Sequence, residues 1–517
     1  MSINSLNKIT SVLVQPETSH DWGELSYQSL SDSLISRFNQ EGILYCHWKS
    51  KSLDGESDID FLVSGQSLAG ATRVLMQLGF KSAVPRWGKN PPGVFHYYGY
   101  DTRNYEIVHL HLFTRVLSGE RLVKSHWFPF EEMLLKDAYS LNGLIVTSKE
   151  AEFVLFILKT FIRISSILDS FRENDSDEEL QIELNILRTE SDMTEVKKYL
   201  EEYCPVVEEG FFLECVKAID EKASFPRKWL LSQKMRWRLR IYNQSNFISR
   251  WFGYSAYLYA TTQKKLNGQK GKKSLIAGGA IVAIVGADAT GKSTLVEETR
   301  SWLRNIFVVN TVHAGKPPSA LLTLPINLLL TSNRLLKRKI KASKIKDLDS
   351  TSNLSQNNGD SDKQKSLSYA IRAVCLAYDR RSLLLKARRA AANGEIIVSD
   401  RYPTNAAGMM DSPRLHENAV NKGLIASIRN WLARVERNTY RQIPPPDIVL
   451  RLKVSLEIAK KRNAARDTID DETYLQQRHQ QSKDWYMSGT RTIRDINTDN
   501  SLEETISSVK QVVWSNL

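Results

Sequence analysis

Ile281-Val282-Ala283-Ile284-Val285-Gly286-Ala287-Asp288-Ala289-Thr290-Gly291-Lys292-Ser293-Thr294 is the stretch from which the rest of the chain can be ordered. Its opening apolar run suits a strand covered on both faces. Gly286 to Ser293 then carries the Walker A spacing, and Leu295 to Leu303 continues as a helix. Phosphate oxygens need backbone N–H donors at a helix N-terminus. Gly286 and Gly291 let the backbone approach, while Ala287, Asp288, Ala289, Thr290 and Thr294 complete the nucleotide cradle. Lys292 supplies a point charge and Ser293 a hydroxyl for Mg²⁺, so ATP and Mg²⁺ are the expected cofactors.

The chain has 517 residues, a hydrophobic content of 42% and a charged content of 25%. That length implies roughly two to four domains. No run approaches the roughly 18–20 apolar residues needed to span a bilayer, and Met1 to Trp22 lacks a basic stretch followed by an apolar core. A cytoplasmic protein is expected. Cys46, Cys204, Cys215 and Cys375 lie too far apart for a zinc or redox motif, so buried free thiols are expected.

The formal net charge of +13 is concentrated, because no Asp or Glu occurs between Ala223 and Ala287. From Pro226 to Lys273, cations alternate with aromatics such as Trp229, Trp237, Tyr242 and Trp251. Stacking and phosphate pairing would suit nucleic acid or another polyanion. A helix with aromatics towards a core and cations towards water is the other reading. Asn267 to Lys273 reads as a flexible basic linker.

Towards the N-terminus, Ser29–Asn39 has helical spacing, and Asp58-Ile59-Asp60-Phe61-Leu62-Val63 opens with strand alternation. Period two puts Asp58 and Asp60 on one face, where they could hold a divalent metal. A later strand, Glu106 to Phe113, carries His109 and His111 on one face, suited to a metal or to hydrogen bonding within the sheet. This region resembles the nucleotidyltransferase superfamily over about a hundred residues. There a Gly-Ser pair precedes a strand bearing Asp-x-Asp and a third carboxylate follows; here Lys49-Ser50 and His109 stand at those places. Beyond Glu131, Ala151–Leu168 has a helical apolar stripe, Arg172–Glu179 reads as a solvated loop, and further amphipathic helices follow.

In the C-terminal half, Ala377-Tyr378-Asp379-Arg380 lies on a long helix, and Glu395 to Asp400 is a strand ending in an acid, the Walker B arrangement. Pro446 to Leu452 is another strand, followed by the basic helix Glu457–Arg466; Lys346–Lys365 reads as an insertion. With Asp288 in the loop, Asp400-Arg401-Tyr402 and the Arg-rich helix, Ala283–Trp514 resembles the thymidylate kinase family of P-loop nucleoside monophosphate kinases. That resemblance implies that Asp288 meets an acceptor hydroxyl, Arg380 the acceptor's base or equivalent group, and Arg401 the acceptor phosphate, with Tyr402 beside them. It also implies that Arg462 and Arg466 close over the transferring group and that Ser293 and Asp400 hold the metal. His313 to Pro318 replaces the family's Arg-Glu-Pro-Gly-Gly segment, so the acceptor need not be thymidylate.

The expected class is α/β: a C-terminal P-loop parallel sheet flanked by helices, preceded by an α+β nucleotidyltransferase-like domain with a helical extension. The expected boundaries are 1–130 for that first domain, 131–225 for the helical extension, 226–275 for the basic aromatic segment and linker, and 276–517 for the kinase-like domain. The leading function is ATP- and Mg-dependent phosphoryl transfer to a nucleotide or other small-molecule acceptor. The alternatives are an ATP-gated regulatory or polyanion-binding protein, and nucleotidyl transfer by the N-terminal domain through Asp58 and Asp60. Candidate partners are the acceptor, a polyanion at 226–273 and a second copy of the chain as a homodimer.

Overall fold

The computed structural model describes residues 29–48, 58–86, 90–119, 124–164, 174–244, 272–320, 323–326, 367–406, 409–417, 423–464, 472–483 and 485–517, with Ser255, Tyr259 and Thr262. Lys49, Ser50, Arg466, the insertion 346–365 and most of 245–271 lie outside them. The protein is a mixed α/β chain organised on two sheets. Among the described residues no helix is long and apolar enough to cross a membrane.

The first sheet has eight strands: β1 (Tyr45–His47), β2 (Asp58–Val63), β3 (Lys81–Pro85), β4 (Val94–Asp101), β5 (Glu106–Phe113), β8 (Tyr139–Leu141), β9 (Leu144–Val146) and β10 (Lys273–Leu275), in the order β10-β3-β4-β5-β2-β1-β9-β8. A separate two-stranded ribbon pairs β6 (Val116–Ser118) with β7 (His126–Phe128). One face of the large sheet is covered by α1 (Leu30–Gln40) and α2 (Leu68–Gln77), which bury Leu34, Phe38, Val74 and Leu75 against Phe61 and Leu112. Ser29 caps α1 by accepting from the Asp32 N–H. On the other face the β1–β2 side packs under a helical layer, α3 (Glu131–Lys136), α4 (Lys149–Arg163), α5 (Asn174–Glu190), α6 (Met193–Tyr203), α7 (Glu209–Asp220) and α8 (Phe225–Arg238), while Ala83, Tyr98 and Tyr100 of β3 and β4 pack with Phe307 and Trp514. α4 is buried almost throughout because neighbouring helices surround it: Phe153 meets Phe212 of α7 edge-on, with ring centroids 5.6 Å apart.

Three local expectations are corrected. Residues from Asn174 onward form a helix instead of continuing a solvated loop. On α8 the buried face is Leu231, Ser232 and Met235, joined by Lys228, whereas Trp229 is 40% and Trp237 66% exposed. The aromatics therefore face outward, and Arg240 lies over the Trp237 ring at 4.2 Å. Finally, Lys273–Leu275, the end of the stretch read as linker, is a strand that hydrogen-bonds to both halves of the molecule. It pairs antiparallel with β3, while Lys273 N donates to Ile306 O (2.9 Å) and Leu275 N to Gly394 O (2.9 Å).

All four cysteines are free and buried. Burial pushes the thiols of Cys46, Cys204 and Cys215 up to about 12, which keeps them protonated and unreactive at neutral pH.

The second sheet is wholly parallel, with β11 (Ile281–Gly286), β12 (Val309–His313), β13 (Ile396–Asp400), β14 (Ile448–Lys453) and β15 (Thr492–Asn497) in the order β12-β13-β11-β14-β15. The helices α9 (Lys292–Arg304) and α14 (Leu502–Asn516) pack on Val282 and Ile284. On the opposite face α10 (Leu367–Ala392) and α11 (Leu424–Arg441) pack on Ile281, Ala283 and Val285. With helices on both faces, β11 has no solvated side, which is why its apolar run shows no alternation. The short helices α12 (Leu456–Ala464) and α13 (Glu472–Lys483) follow β14.

Gly279, just before β11, shows how tightly this sheet is seated: a Cβ there would lie 1.9 Å from the carbonyl oxygen of Glu395. Gly279→Ala is therefore expected to lower stability by about 1–3 kcal/mol, the usual cost of overpacking a fixed backbone. A denaturation midpoint equal to that of the parent would show that the backbone yields freely.

Candidate active site

Functional groups gather at the carboxyl edge of the parallel sheet, where strand order diverges on either side of β11 and a crevice must form. The loop after β11 turns through Ala289 (φ 66°) and Gly291 (φ 85°) before α9 begins. Thr290 Oγ1 donates to Ala287 O at 2.8 Å and pins the turn. Gly286 is close-packed, since a Cβ would meet Leu452 O and Thr290 Oγ1 at 3.0 Å. Gly291, the N-cap of α9, offers no side chain to the first-turn N–H groups, and such groups at a helix N-terminus suit an anion. Lys292 is 7% exposed; its Nζ donates to Ala287 O and sits 3.7 Å from Asp288 Oδ1. Ser293 is exposed beside it.

Asp288 and Arg401 meet directly at 2.8 Å. Arg401 has φ 66°, a left-handed conformation that costs a non-glycine residue about 1–3 kcal/mol and persists only when its surroundings impose it. Here Arg401 N donates to Ile284 O at 3.0 Å, and Arg401 O accepts from Ser399 Oγ at 2.7 Å. Gly315 makes room for the side chain, because a Cβ there would lie 2.8 Å from Arg401 Cδ. Asp411 Oδ2 lies 3.8 Å from Arg401 Nη1.

Asp400 ends β13 in register with His313 at the end of β12. Its Oδ2 lies 3.1 Å from His313 Nδ1, while Oδ1 is buried without a hydrogen-bond partner among the described residues. An uncompensated carboxylate oxygen is costly, and with the Ser293 hydroxyl of the loop it supplies the oxygen donors that suit a hard divalent cation such as Mg²⁺.

The remaining expected residues lie in different surroundings. Arg380 is fully buried and spends its donors on protein: Nε to Ala314 O (3.0 Å), Nη1 to Asp411 O (3.0 Å) and Tyr440 Oη (2.5 Å), Nη2 to Asp411 Oδ1 (2.5 Å). It fastens the segment after β12 to the Asp411 loop and to α11. Tyr402 is buried, donates to Pro444 O at 2.7 Å, and with Trp485, Met410 and Asp411 walls a small cleft beside Gly286 and Arg401. Arg462 on α12 donates to Thr498 O at 2.7 Å, beyond the end of β15. Asp58 and Asp60 stand on β2 in the other sheet; Asp60 is 5% exposed and its Oδ1 lies 3.0 Å from His111 Nδ1.

Two residues at the loop were not singled out from sequence. On α13, Arg478 Nε approaches Asp288 Oδ2 at 4.0 Å, and His479 lies against the Asp288 backbone. Burial pushes the His479 imidazole below its ordinary range, with the positive charge of Lys292 acting in the same direction, so the ring is neutral beside the loop at neutral pH. Their helix is a Gln-rich polar run with no apolar stripe, and only the adjacent Arg-His pair could have drawn notice.

No family model matches the chain. An uncharacterised ATP-binding protein, YghR, from two strains of Escherichia coli is 27% identical over 196 residues, covering 36% of this chain and 70% of that protein. Among solved structures, thymidylate kinase from Candida albicans aligns with a TM-score of 0.28 and 16% identity, covering 46% of this chain and 92% of its own. Deoxyadenosine kinase from M. mycoides with bound dATP aligns with a TM-score of 0.26 and 15% identity, covering 45% and 97%.

Proposed function

We propose that the P-loop unit, residues 276–517, transfers the γ-phosphoryl group of ATP to a small-molecule acceptor carrying an anionic group. The observation that carries this reading is the Asp288–Arg401 pair at 2.8 Å, seated between the Lys292 loop and the cleft walled by Tyr402 and Trp485. An ATP cradle alone needs no acid–arginine pair facing a second pocket. The pair provides a carboxylate that accepts from a hydroxyl and a guanidinium that donates to an anion, next to the donor site.

In this reading Lys292 and the first-turn N–H groups of α9 hold the donor phosphates. Ser293 and Asp400 would hold Mg²⁺, which when bound would neutralise charge on the donor oxygens. Asp288 accepts the hydrogen bond of the attacking hydroxyl, and Arg401, released from Asp288, binds the acceptor anion. Arg478 adds positive charge at the loop where negative charge develops. Arg380 acts by fastening Ala314 and Asp411, so it shapes the acceptor wall without reaching the acceptor. Similarity to YghR, an ATP-binding protein, supports the ATP part of this reading.

The test is transfer of label from γ-labelled ATP across a panel of nucleotides, nucleosides and phosphorylated sugars. With the acceptor that takes label, Arg401→Ala is expected to raise the acceptor KM by about 10- to 100-fold, corresponding to loss of one ionic hydrogen bond of about 1.5–3 kcal/mol. The KM for ATP should stay near that of the parent. Equal acceptor KM values in parent and variant would remove Arg401 from the acceptor site.

A further inference from the structure

We propose that the N-terminal sheet carries a three-imidazole site for a divalent transition metal, Zn²⁺ by its donor set, formed by His96, His109 and His111. The hairpin of β4 and β5 sets His96 opposite His111 and Tyr98 opposite His109. The parallel pairing of β2 with β5 brings Asp60 opposite His111. All these positions share one face of the sheet, so three rings converge with centroids 4.1 Å (His109 and His111), 4.5 Å (His96 and His111) and 5.3 Å (His96 and His109) apart.

One ligand nitrogen from each of the three residues lies within 4.8 Å of the others. His96 Nδ1 and His109 Nε2 are 3.1 Å apart. Two nitrogens bound tetrahedrally at about 2.0–2.1 Å from zinc would be about 3.3 Å apart. That edge is therefore already near coordination geometry, and small rotations bring in the third ring. Metal binding needs both facing lone pairs, so the ring that donates in the metal-free state shifts its proton to its other nitrogen.

The supporting groups match those of a metal centre. His111 turns Nδ1 to Asp60 Oδ1 at 3.0 Å, which leaves Nε2 for the metal. Asp60 is buried and acts here as a positioning residue. The His109 ring is held by Tyr98, stacked at 4.3 Å and 5°. All three histidines are half-buried, so the cluster is within reach of solvent. Nitrogen donors without a carboxylate in direct contact select zinc and its neighbours over Mg²⁺ or Ca²⁺, which take oxygen. The site lies in a different sheet from the P-loop and does not rest on the phosphoryl-transfer reading.

The experiment uses the full chain, stripped with a chelator and titrated with Zn²⁺ against a chromophoric competitor, and in parallel with Co²⁺ followed by visible absorption. The expected result is uptake of about one equivalent with the intense bands of low-coordinate Co²⁺. His96→Gln and His109→Gln should each abolish the bands. Asp60→Asn should retain them while weakening affinity by about 10–100-fold. Lys292→Ala serves as the control that leaves uptake unchanged. Failure of the parent chain to take up the metal overturns the proposal whatever the variants do, as does undiminished uptake by both glutamine variants. Should the variants fold poorly, a metal-dependent rise in the parent's Tm that is reduced in Asp60→Asn supports the site, and no rise overturns it.

Discussion

Lys292→Ala is expected to cut ATP turnover by about 10²–10³-fold, the scale of removing one group aimed at charge that develops during reaction. Lys292 is 7% exposed and opens the first turn of α9, its ammonium held to Ala287 O and near Asp288. Nothing else described at the loop can substitute from the same direction: Arg401 is tied across to Asp288, and Arg478 arrives from α13 on the far side of that carboxylate. The variant should fold as the parent does, because the loop retains the Thr290 to Ala287 bond and the helix retains its Leu295 contacts. Steady-state ATP consumption at saturating ATP checks this. Turnover within a factor of two of the parent would mean that the loop does not serve the donor.

The second large effect is on stability. Arg380→Met is expected to destabilise the C-terminal half by about 3–5 kcal/mol, since removing one partner of a buried ion pair leaves Asp411 only the longer contact with Arg401 at 3.8 Å. Arg380 is fully buried, and Asp411 is bonded to it through both its carboxylate and its backbone oxygen. The substitution would also free Ala314 O and Tyr440 Oη from their donor. Adding Asp411→Asn should recover part of the loss, because the weakly paired charge is removed; asparagine also tolerates the φ of 60° at that position. Urea midpoints for the two single variants and the double variant read the coupling directly. Additive losses would show that the pair is not a unit.

The strand–loop–helix around Gly286 was legible because every signal is local: an apolar run, a fixed spacing and a helix start within a few residues. Asp400 was legible for the same reason, as the acid closing an apolar run. Arg380 could be placed on its helix, but its burial depends on Asp411 and Tyr440, which reach it only through tertiary packing. Arg478 and His479 were missed because α13 shows no periodic face, so composition offered no reason to bring it to the loop. For Trp229 and Trp237 the sequence leaves two orientations open, outward to a polyanion or inward to a core; Leu231 and Met235 on the same helix fill the core, which turns the aromatics outward. His96 could have been joined to His111 by counting back from a tight β4–β5 hairpin, had the turn near Arg103 been fixed first.

The strand Lys273–Leu275 bears on how this protein can be dissected. Its backbone is shared: one edge completes the N-terminal sheet at β3, while Lys273 and Leu275 also donate to Ile306 and Gly394 of the other half. A fragment ending before this strand leaves β3 with a bare, sticky edge, and a fragment beginning after it leaves two carbonyls of the P-loop unit without their donors. The two halves are thus stitched by three residues that belong to both, and neither can be excised along a clean seam.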